Sequence, residues 1–339
     1  MKKSFLVAIL LAWFSQTKAQ DYTSILATGM EASEAYTKQY LSPGAEALVY
    51  SINNGWFSTA EAKPVLGFEV SFIGNIATIK DEHRAFNFDV SGFEGLMFED
   101  GTTSKEVASI LGVISPDVTL EYTYVDPSTG ASTVVAIKLP ESLTNEDVFD
   151  LPSGYLQASI GVLKGTEVKF RVFPNVEIND YQVGLIGFGV QHEFTKWLSE
   201  DRKFPIAISG LVAYSAMDAA YDLDNVSVVE GSRQRVENKI DSWLFQSIFS
   251  TKLPVINFYA GLGYVIGNSH SNILGDYEVY DVQEGQNIMV TDPLSVENDF
   301  KGVRATLGTR LKLGFFRLHA DYSIAEFNTA SVGMSFGLR

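Results

Sequence analysis

The 339-residue chain contains no cysteine, which excludes disulfide staples, thiolate metal sites, thiol nucleophiles and lipid-modified cysteines. Histidine is scarce: His83, His192, His270 and His319 are the whole supply for imidazole chemistry. Basic residues are outnumbered, with Lys+Arg 25 against Asp+Glu 41 and a net charge of −16, so wholesale binding to nucleic-acid phosphates is excluded. Proline is low at 10, while Phe 23, Tyr 15 and Trp 4 make an aromatic-rich chain, which excludes disorder. No apolar run reaches the roughly 18 residues that a membrane-spanning helix requires.

What is present begins with a leader. Lys2 and Lys3 precede an apolar run from Phe5 to Phe14, followed by Ser15, Gln16, Thr17, Lys18 and Ala19. A basic head, a short apolar middle and a small residue before the cut make a secretory signal peptide, residues 1–19, with Gln20 first in the mature chain. Removing Lys2, Lys3 and Lys18 leaves 22 basic against 41 acidic residues, or −19.

Residues 20–64 read as a helical or irregular amino-terminal segment. Tyr22, Ile25, Leu26, Gly29, Ser33, Tyr36 and Tyr40 fall on one helical stripe. Ser42 and Pro43 then look like the cap and first turn of a second short helix carrying Ala45, Leu48, Val49 and Ile52, stopped by Asn53-Asn54-Gly55. From about residue 65 the period changes to two. Ala330, Val332, Met334, Phe336 and Leu338 alternate with Ser331, Gly333, Ser335 and Gly337, and similar patterns cover 254–267, 300–313 and 314–325.

These faces pair apolar residues with Gly, Ser, Thr and charge, which suits an antiparallel transmembrane β-barrel, all-β, spanning 65–339. Thirteen segments qualify as strands: 65–78, 84–92, 118–125, 131–139, 154–163, 166–174, 181–195, 204–217, 236–251, 254–267, 300–313, 314–325 and 328–339. An even number is needed, so about 14 strands are expected, alternatively about 12, with the missing one sought in 54–64 or 219–229. Short connections fall at 126–130, 164–165, 196–203, 251–254 and 313–314; long ones fall near 93–117, 140–153, 218–235 and 268–299. The long connections are acidic, for example Asp276, Glu278, Asp281, Glu284, Asp292, Glu297 and Asp299. Solvation explains them; divalent cations bridging them to anionic surface lipid is the sharper expectation.

Three stretches look familiar: Asn53-Asn54-Gly55-Trp56-Phe57-Ser58-Thr59-Ala60 with Lys63-Pro64 and Gly67-Phe68-Glu69; 157–167 with Arg171 and Pro174; and Gly187 to Leu198. They resemble an uncharacterised family of exported proteins from Bacteroidota-type Gram-negative bacteria, over most of 50–339. That resemblance implies no activity and no site residues. In topology alone, a helical segment before a barrel is similar to the outer-membrane fatty-acid transporters, which implies that the segment plugs the lumen.

Candidate residues follow from the polar faces. Arg171, Glu193, Arg304, Arg310, Lys312, Arg317, His319 and Asp321, with Glu167 and Lys169, are expected to line the lumen, either tuning passage of solutes or cross-bracing a filled barrel. His319, Asp321 and Ser323 share one strand face, but steps of two residues stand about 7 Å apart, too far for a nucleophile–base pair. Asp222-Leu223-Asp224-Asn225 starts like a calcium loop and then loses the spacing. No catalytic residue, metal site or cofactor is expected. Phe194, Trp197, Phe204, Phe315 and Phe316 read as an interfacial girdle. The expected function is an outer-membrane barrel, a passive route for a small amphipathic or hydrophobic solute, with outer-membrane lipid as its partner. The alternatives are a structural or adhesive barrel acting through acidic loops, and a soluble exported β-sandwich.

Overall fold

The computed structural model describes residues 25, 29–125, 129–140, 142, 147–178, 180–197, 205–223, 230–281 and 286–338. The signal peptide lies outside them, as do Tyr22, Leu26, Glu141, Glu146, Phe204, Asp224, Asn225 and Glu284.

A single helix, α1 (Met30–Ile52), replaces the two expected among the described residues. Pro43 sits inside it, because packing on both halves outweighs the local break. The first half buries Ala32, Tyr36 and Tyr40 in one core, and the second buries Ala45, Val49, Tyr50 and Ile52 in another. The helix ends where read, at Asn53-Asn54-Gly55, with Gly55 at φ 68.

Strand β1 (Phe68–Thr78) follows an irregular stretch, and the chain then leaves the main sheet. Residues 79–149 hold β2 (Ala85–Asp89), β3 (Leu96–Phe98), β4 (Ser104–Ala108), β5 (Thr119–Val125) and β6 (Ser132–Lys138). These form a two-stranded β2–β4 sheet and a three-stranded β3–β5–β6 sheet. Their side chains, including Phe88, Phe98 and Leu120, close over Tyr36 and Tyr40 as a small cap. The chain returns through β7 (Asp150–Leu163), β8 (Thr166–Ile178), β9 (Tyr181–Glu193), β10 (Ile206–Asp222), β11 (Gly231–Thr251) and β12 (Ile256–Asp281). It ends with β13 (Gln286–Thr291), β14 (Leu294–Leu313), β15 (Phe316–Ile324) and β16 (Asn328–Leu338).

The main sheet runs β11-β10-β9-β8-β7-β1-β16-β15-β14-β12, and β11 pairs again with β12, so ten antiparallel strands close on themselves. β13 lies outside this ring, paired with the extended tip of β12. The fold is thus the expected antiparallel barrel, with ten strands rather than 14 or 12. Ten of the thirteen segments are wall strands. The other three, 84–92, 118–125 and 131–139, belong to the cap, whose strands share the wall's period of two. Among the described residues neither 54–64 nor 219–229 holds a further strand: 54–64 is irregular, 219–222 extends β10, and 224–229 lie outside the described residues. One closed sheet also rules out a sandwich of two sheets.

The stretch 268–299, read as a loop, is mostly strand. β11, β12 and β14 run to 21, 26 and 20 residues, well past the length of their apolar faces. Alternation was hidden there because the outward face turns polar, while the apolar residues Ile273, Tyr277 and Leu294 move to the buried face. Short turns 164–165, 252–255 and 314–315 lie at one end, here the near end, where β9 also ends and β10 begins. The cap and the long strands lie at the far end. Gly165 at φ 81 and Gly314 at φ 68 supply the left-handed residue of two near-end turns.

Polarity is inverted relative to a soluble barrel. On β16, Val332, Met334 and Phe336 are exposed outward, while Ser331 and Ser335 are buried inward. On β1, Phe68, Phe72 and Ile76 face out, and Glu69, Ser71 and Asn75 face in.

Because cap and barrel have separate cores, truncating one should spare the other. Phe98→Ala should destabilise the cap by about 3–5 kcal/mol. Protease cleavage within 79–149 should speed up while the barrel's resistance to detergent is unchanged.

Candidate functional site

The lumen is filled by the chain's own residues 51–63. This stretch meets inward side chains from every wall strand. Ser51 Oγ lies 2.7 Å from Ser153 Oγ on β7, and Asn54 Nδ2 donates to Ser331 Oγ on β16 at 2.6 Å. Gln191 Nε2 on β9 donates to the Thr59 carbonyl at 3.0 Å, and Ser209 on β10 donates to the Ala60 carbonyl. On β11, Ser242 Oγ accepts from Asn53 Nδ2 at 2.8 Å and Ser250 Oγ accepts from the Ala60 N–H at 3.0 Å. Phe57 packs edge-on against Tyr259 of β12, ring centres 5.6 Å apart. Ser323 Oγ on β15 donates to Asn54 Oδ1 at 3.1 Å, and Lys63 Nζ lies 3.5 Å from Glu69 on β1.

Two arginines grip the end of α1 from opposite walls, since β8 and β14 stand five strands apart in a ring of ten. Arg171 Nη1 on β8 donates to the carbonyls of Ile52 at 2.8 Å and Asn54 at 2.9 Å. Its guanidinium lies 4.0 Å above the Trp56 ring and 3.8 Å from that of Tyr155. Arg304 Nη1 on β14 donates to the Asn53 carbonyl at 2.8 Å, and its Nη2 donates to Asn54 Oδ1 and Ser323 Oγ. The last carbonyls of a helix are its orphan acceptors and its negative end, so two cations there satisfy both needs.

Nearer the short turns the inward charges form closed groups. Glu69 is held by Arg310 and Arg317, each at 2.7 Å, with Lys63 beside them. Glu167 meets Lys63 at 3.1 Å and Lys169 at 3.0 Å. Glu193, fully buried, accepts from the Ala62 N–H at 2.8 Å and from Thr195, with Lys252 at 3.1 Å. Lys312 pairs with Glu61 at 3.1 Å. A buried charge without such partners would cost several kcal/mol. Arg304 and Arg310, read as possible selectivity residues, are therefore committed to the filling segment and to Glu69. Asp321 accepts from Tyr259 Oη at 2.8 Å. His319 finds no hydrogen-bond partner among the described residues and lies against Gly333. Ser323 is engaged by Arg304 and Thr306, so His319, Asp321 and Ser323 do not assemble.

The sequence reading missed the apolar part of the lumen. Leu211, Ala213, Ile240, Leu244 and Ile248 face inward and pack on Val49, Trp56, Phe57 and Ala60. A signal was available in the inward glycines. A Cβ on Gly187 or Gly189 would press on the Trp56 indole at 3.0 or 3.1 Å; one on Gly261 would meet Phe57, and one on Gly267 would meet Val49. The glycines are the mould of the segment inside.

Asp276, Asp292, Glu297 and Asp299 also have protein partners. Asp276 accepts from Arg233, Ser232 and Thr291, while Asn268 donates to Glu297 and Asp299. Spacing suited to a cation occurs elsewhere, at the far rim, where Glu82, His83 and Glu326 bring ligand atoms within 4.8 Å; there His83 Nε2 pairs with Glu326 at 3.0 Å.

The chain belongs to a family of unknown function, DUF6588, whose model matches residues 1–338. No curated protein matches it. Among solved structures, it is similar to Ail, the attachment invasion locus protein of Yersinia pestis, at 10% identity and TM-score 0.23, covering 80% of this chain and 95% of that one. It is also similar to the translocator domain of the autotransporter NalP from Neisseria meningitidis, at 13% identity and TM-score 0.27, covering 92% and 99%. A third likeness is TodX, a monoaromatic hydrocarbon channel, at 8% identity and TM-score 0.28, covering 81% and 67%. The barrel here is established by its own strand pairing, and no role follows from likenesses at these scores.

Arg171→Met should leave the carbonyls of Ile52 and Asn54 short of a donor and cost about 3 kcal/mol in urea unfolding. Gly189→Val should displace Trp56 and cost about 1–3 kcal/mol. Gly74→Ala, with open space around its Cβ, should change nothing measurable.

Proposed function

We propose that this DUF6588 chain is an outer-membrane β-barrel, exported through a cleaved signal peptide and closed at rest by residues 53–62. The observation that carries the membrane reading is the outward apolar band. On β12 the outward residues Ile256, Phe258, Ala260, Leu262, Tyr264 and Ile266 are apolar, and the next three, Asn268, His270 and Asn272, are polar. Ten steps of about 3.3 Å, tilted by about 40°, span about 25 Å, the height of the lipid-facing band of such barrels. A water-soluble barrel would not expose a continuous surface of this kind. Phe194, Trp197 and Phe315 are exposed at the near edge of the band, and Trp243, packed beside the half-buried Tyr214, is exposed at the far edge, as an interfacial girdle requires.

The filled lumen supports a structural first role: the barrel anchors the cap and the long polar strands β11, β12 and β14 at the membrane surface. Acidic side chains on those strands would bind divalent cations and bridge to anionic lipid. A second reading, passive passage of a small amphipathic solute, is favoured by buried polar atoms that have no hydrogen-bond partner among the described residues. They include both amide atoms of Gln246, both ring nitrogens of His319 and Asp321 Oδ1. Passage on this reading requires residues 53–62 to shift, and no covalent step is involved.

Bilayer conductance separates the two roles. The intact protein should be silent. Arg171→Met with Arg304→Met, which frees the end of α1 while leaving the wall intact, should produce openings if the lumen serves passage. Silence of both proteins, each shown to be folded by its heat-dependent gel mobility, would leave the anchoring role alone. Steady conductance of the intact protein would contradict the closed state.

A further inference from the structure

The direction in which the chain runs through its own barrel is fixed by contacts at both ends. At the far end, the first half of α1 belongs to the cap: Tyr36 Oη donates to the Pro140 carbonyl at 3.2 Å, and its ring packs edge-on against Phe88 at 5.3 Å. Midway, Arg171 and Arg304 hold the helix end. At the near end, the Ala62 N–H donates to Glu193 and Lys63 pairs with Glu167, beside the turns that join β9 to β10 and β7 to β8. Pro64 and Gly67 then turn the chain, with the Leu66 N–H on the Gly161 carbonyl at 2.8 Å, and β1 starts back toward the far end. The segment in the lumen is therefore a strap tied at both mouths, not a plug hung from one.

Which mouth faces the medium follows from the asymmetry of the ends. Barrels of the outer membrane keep short turns on the periplasmic side and long structures outside. Here three of the four near-end turns, 164–165, 252–255 and 314–315, are short and the apolar band begins at the turn itself, at Ile256 and Phe316, whereas the far end, though β8–β9 and β15–β16 join closely there, carries the whole of 79–149 and strands that outrun the band. We propose that the chain crosses its barrel from outside inward: the start of α1 and the cap form one module displayed on the cell surface, and β1 is reached from the periplasmic mouth. The proposal rests on the outer-membrane reading above. It makes the cap and the amino-terminal end of α1 the first surface that a molecule in the medium meets. It also means that the strap cannot be drawn out toward the periplasm without unfolding the cap.

The absence of cysteine makes the test direct, because any introduced cysteine is the chain's only thiol. Three exposed positions serve: Met30 at the start of α1, Val134 in the cap and Leu253 in the turn between β11 and β12. Each single-cysteine protein is treated with a membrane-impermeant maleimide on intact Gram-negative cells, and again after the outer membrane is permeabilised. Met30→Cys and Val134→Cys should be labelled on intact cells, and Leu253→Cys only after permeabilisation. The reverse pattern, labelling of Met30→Cys and Leu253→Cys alike, or failure of Met30→Cys and Val134→Cys to react on intact cells while the protein sits in the membrane fraction, would overturn the proposal. Failure of the membrane reading looks different: the protein then fractionates with the soluble periplasm and all three positions are silent until the outer membrane is opened.

Discussion

Two guanidinium groups, Arg171 and Arg304, meet the last carbonyls of one helix inside a closed wall of strands, and the rest of the structure is arranged around that grip. A barrel that turns its apolar side chains outward must turn its polar ones inward, where each needs a partner. Water could supply some of those partners. In this chain a segment of its own backbone supplies them, offering the carbonyls of Ile52, Asn53, Asn54, Trp56, Thr59 and Ala60 to donors from the wall. The exchange is mutual: an irregular stretch could not be buried without those donors, and the donors could not be buried without the stretch. The helix needs the grip as well, because its negative end would otherwise sit unsatisfied at mid-lumen.

Charge and shape divide the lumen. On the side of β1, β7, β8 and β14 to β16, the wall presents Ser, Asn, Gln, Arg and Glu, and contact with the segment is by hydrogen bond and ion pair. On the side of β10 to β12, Leu211, Leu244 and Ile248 meet Trp56 and Phe57, and packing is added to the hydrogen bonds of Ser209, Ser242 and Ser250. The strap is amphipathic in the same sense, so its rotation about its own length is fixed. Sliding it by one residue would set Trp56 against side chains instead of the glycines at 187 and 189. The chain thereby specifies one register without a disulfide, which it has no cysteine to form.

Much of this was legible in the residues. Alternation marked all ten wall strands, and the short turns at 164–165, 252–255 and 314–315 were visible as breaks in it. Arg171, Glu193, Arg304, Arg310, His319 and Asp321 were assigned to the inward face and are buried there. What failed did so for identifiable reasons. Period two reports a sheet with unlike faces, so Ala85–Asp89 in the cap gives the same signal as a wall strand; only length separates them, five residues against eleven in β1. Residues 268–299 lost their signal because beyond the apolar band the outward side turns polar and the apolar residues, Ile273, Tyr277 and Leu294, change to the buried side. That the amino-terminal segment fills the lumen was expected from topology, but the path of the strap was unreadable because its structure is dictated by the wall around it, and residues 54–63 have no periodicity of their own. Pairing of Glu69 with Arg310 and Arg317, from strands far apart in sequence, carries no local signature at all.

The central claim is that the end of α1 lies inside the wall, and one engineered disulfide tests it most directly. Ser51 Oγ and Ser153 Oγ are 2.7 Å apart, and the chain has no competing thiol. Ser51→Cys with Ser153→Cys, purified from oxidising cells, should form the bridge nearly completely and show a gel shift that reductant reverses. Ser51→Cys with Gly154→Cys, one residue along β7, should not. Free thiols in the first pair, or equal bridging in both, would contradict the account.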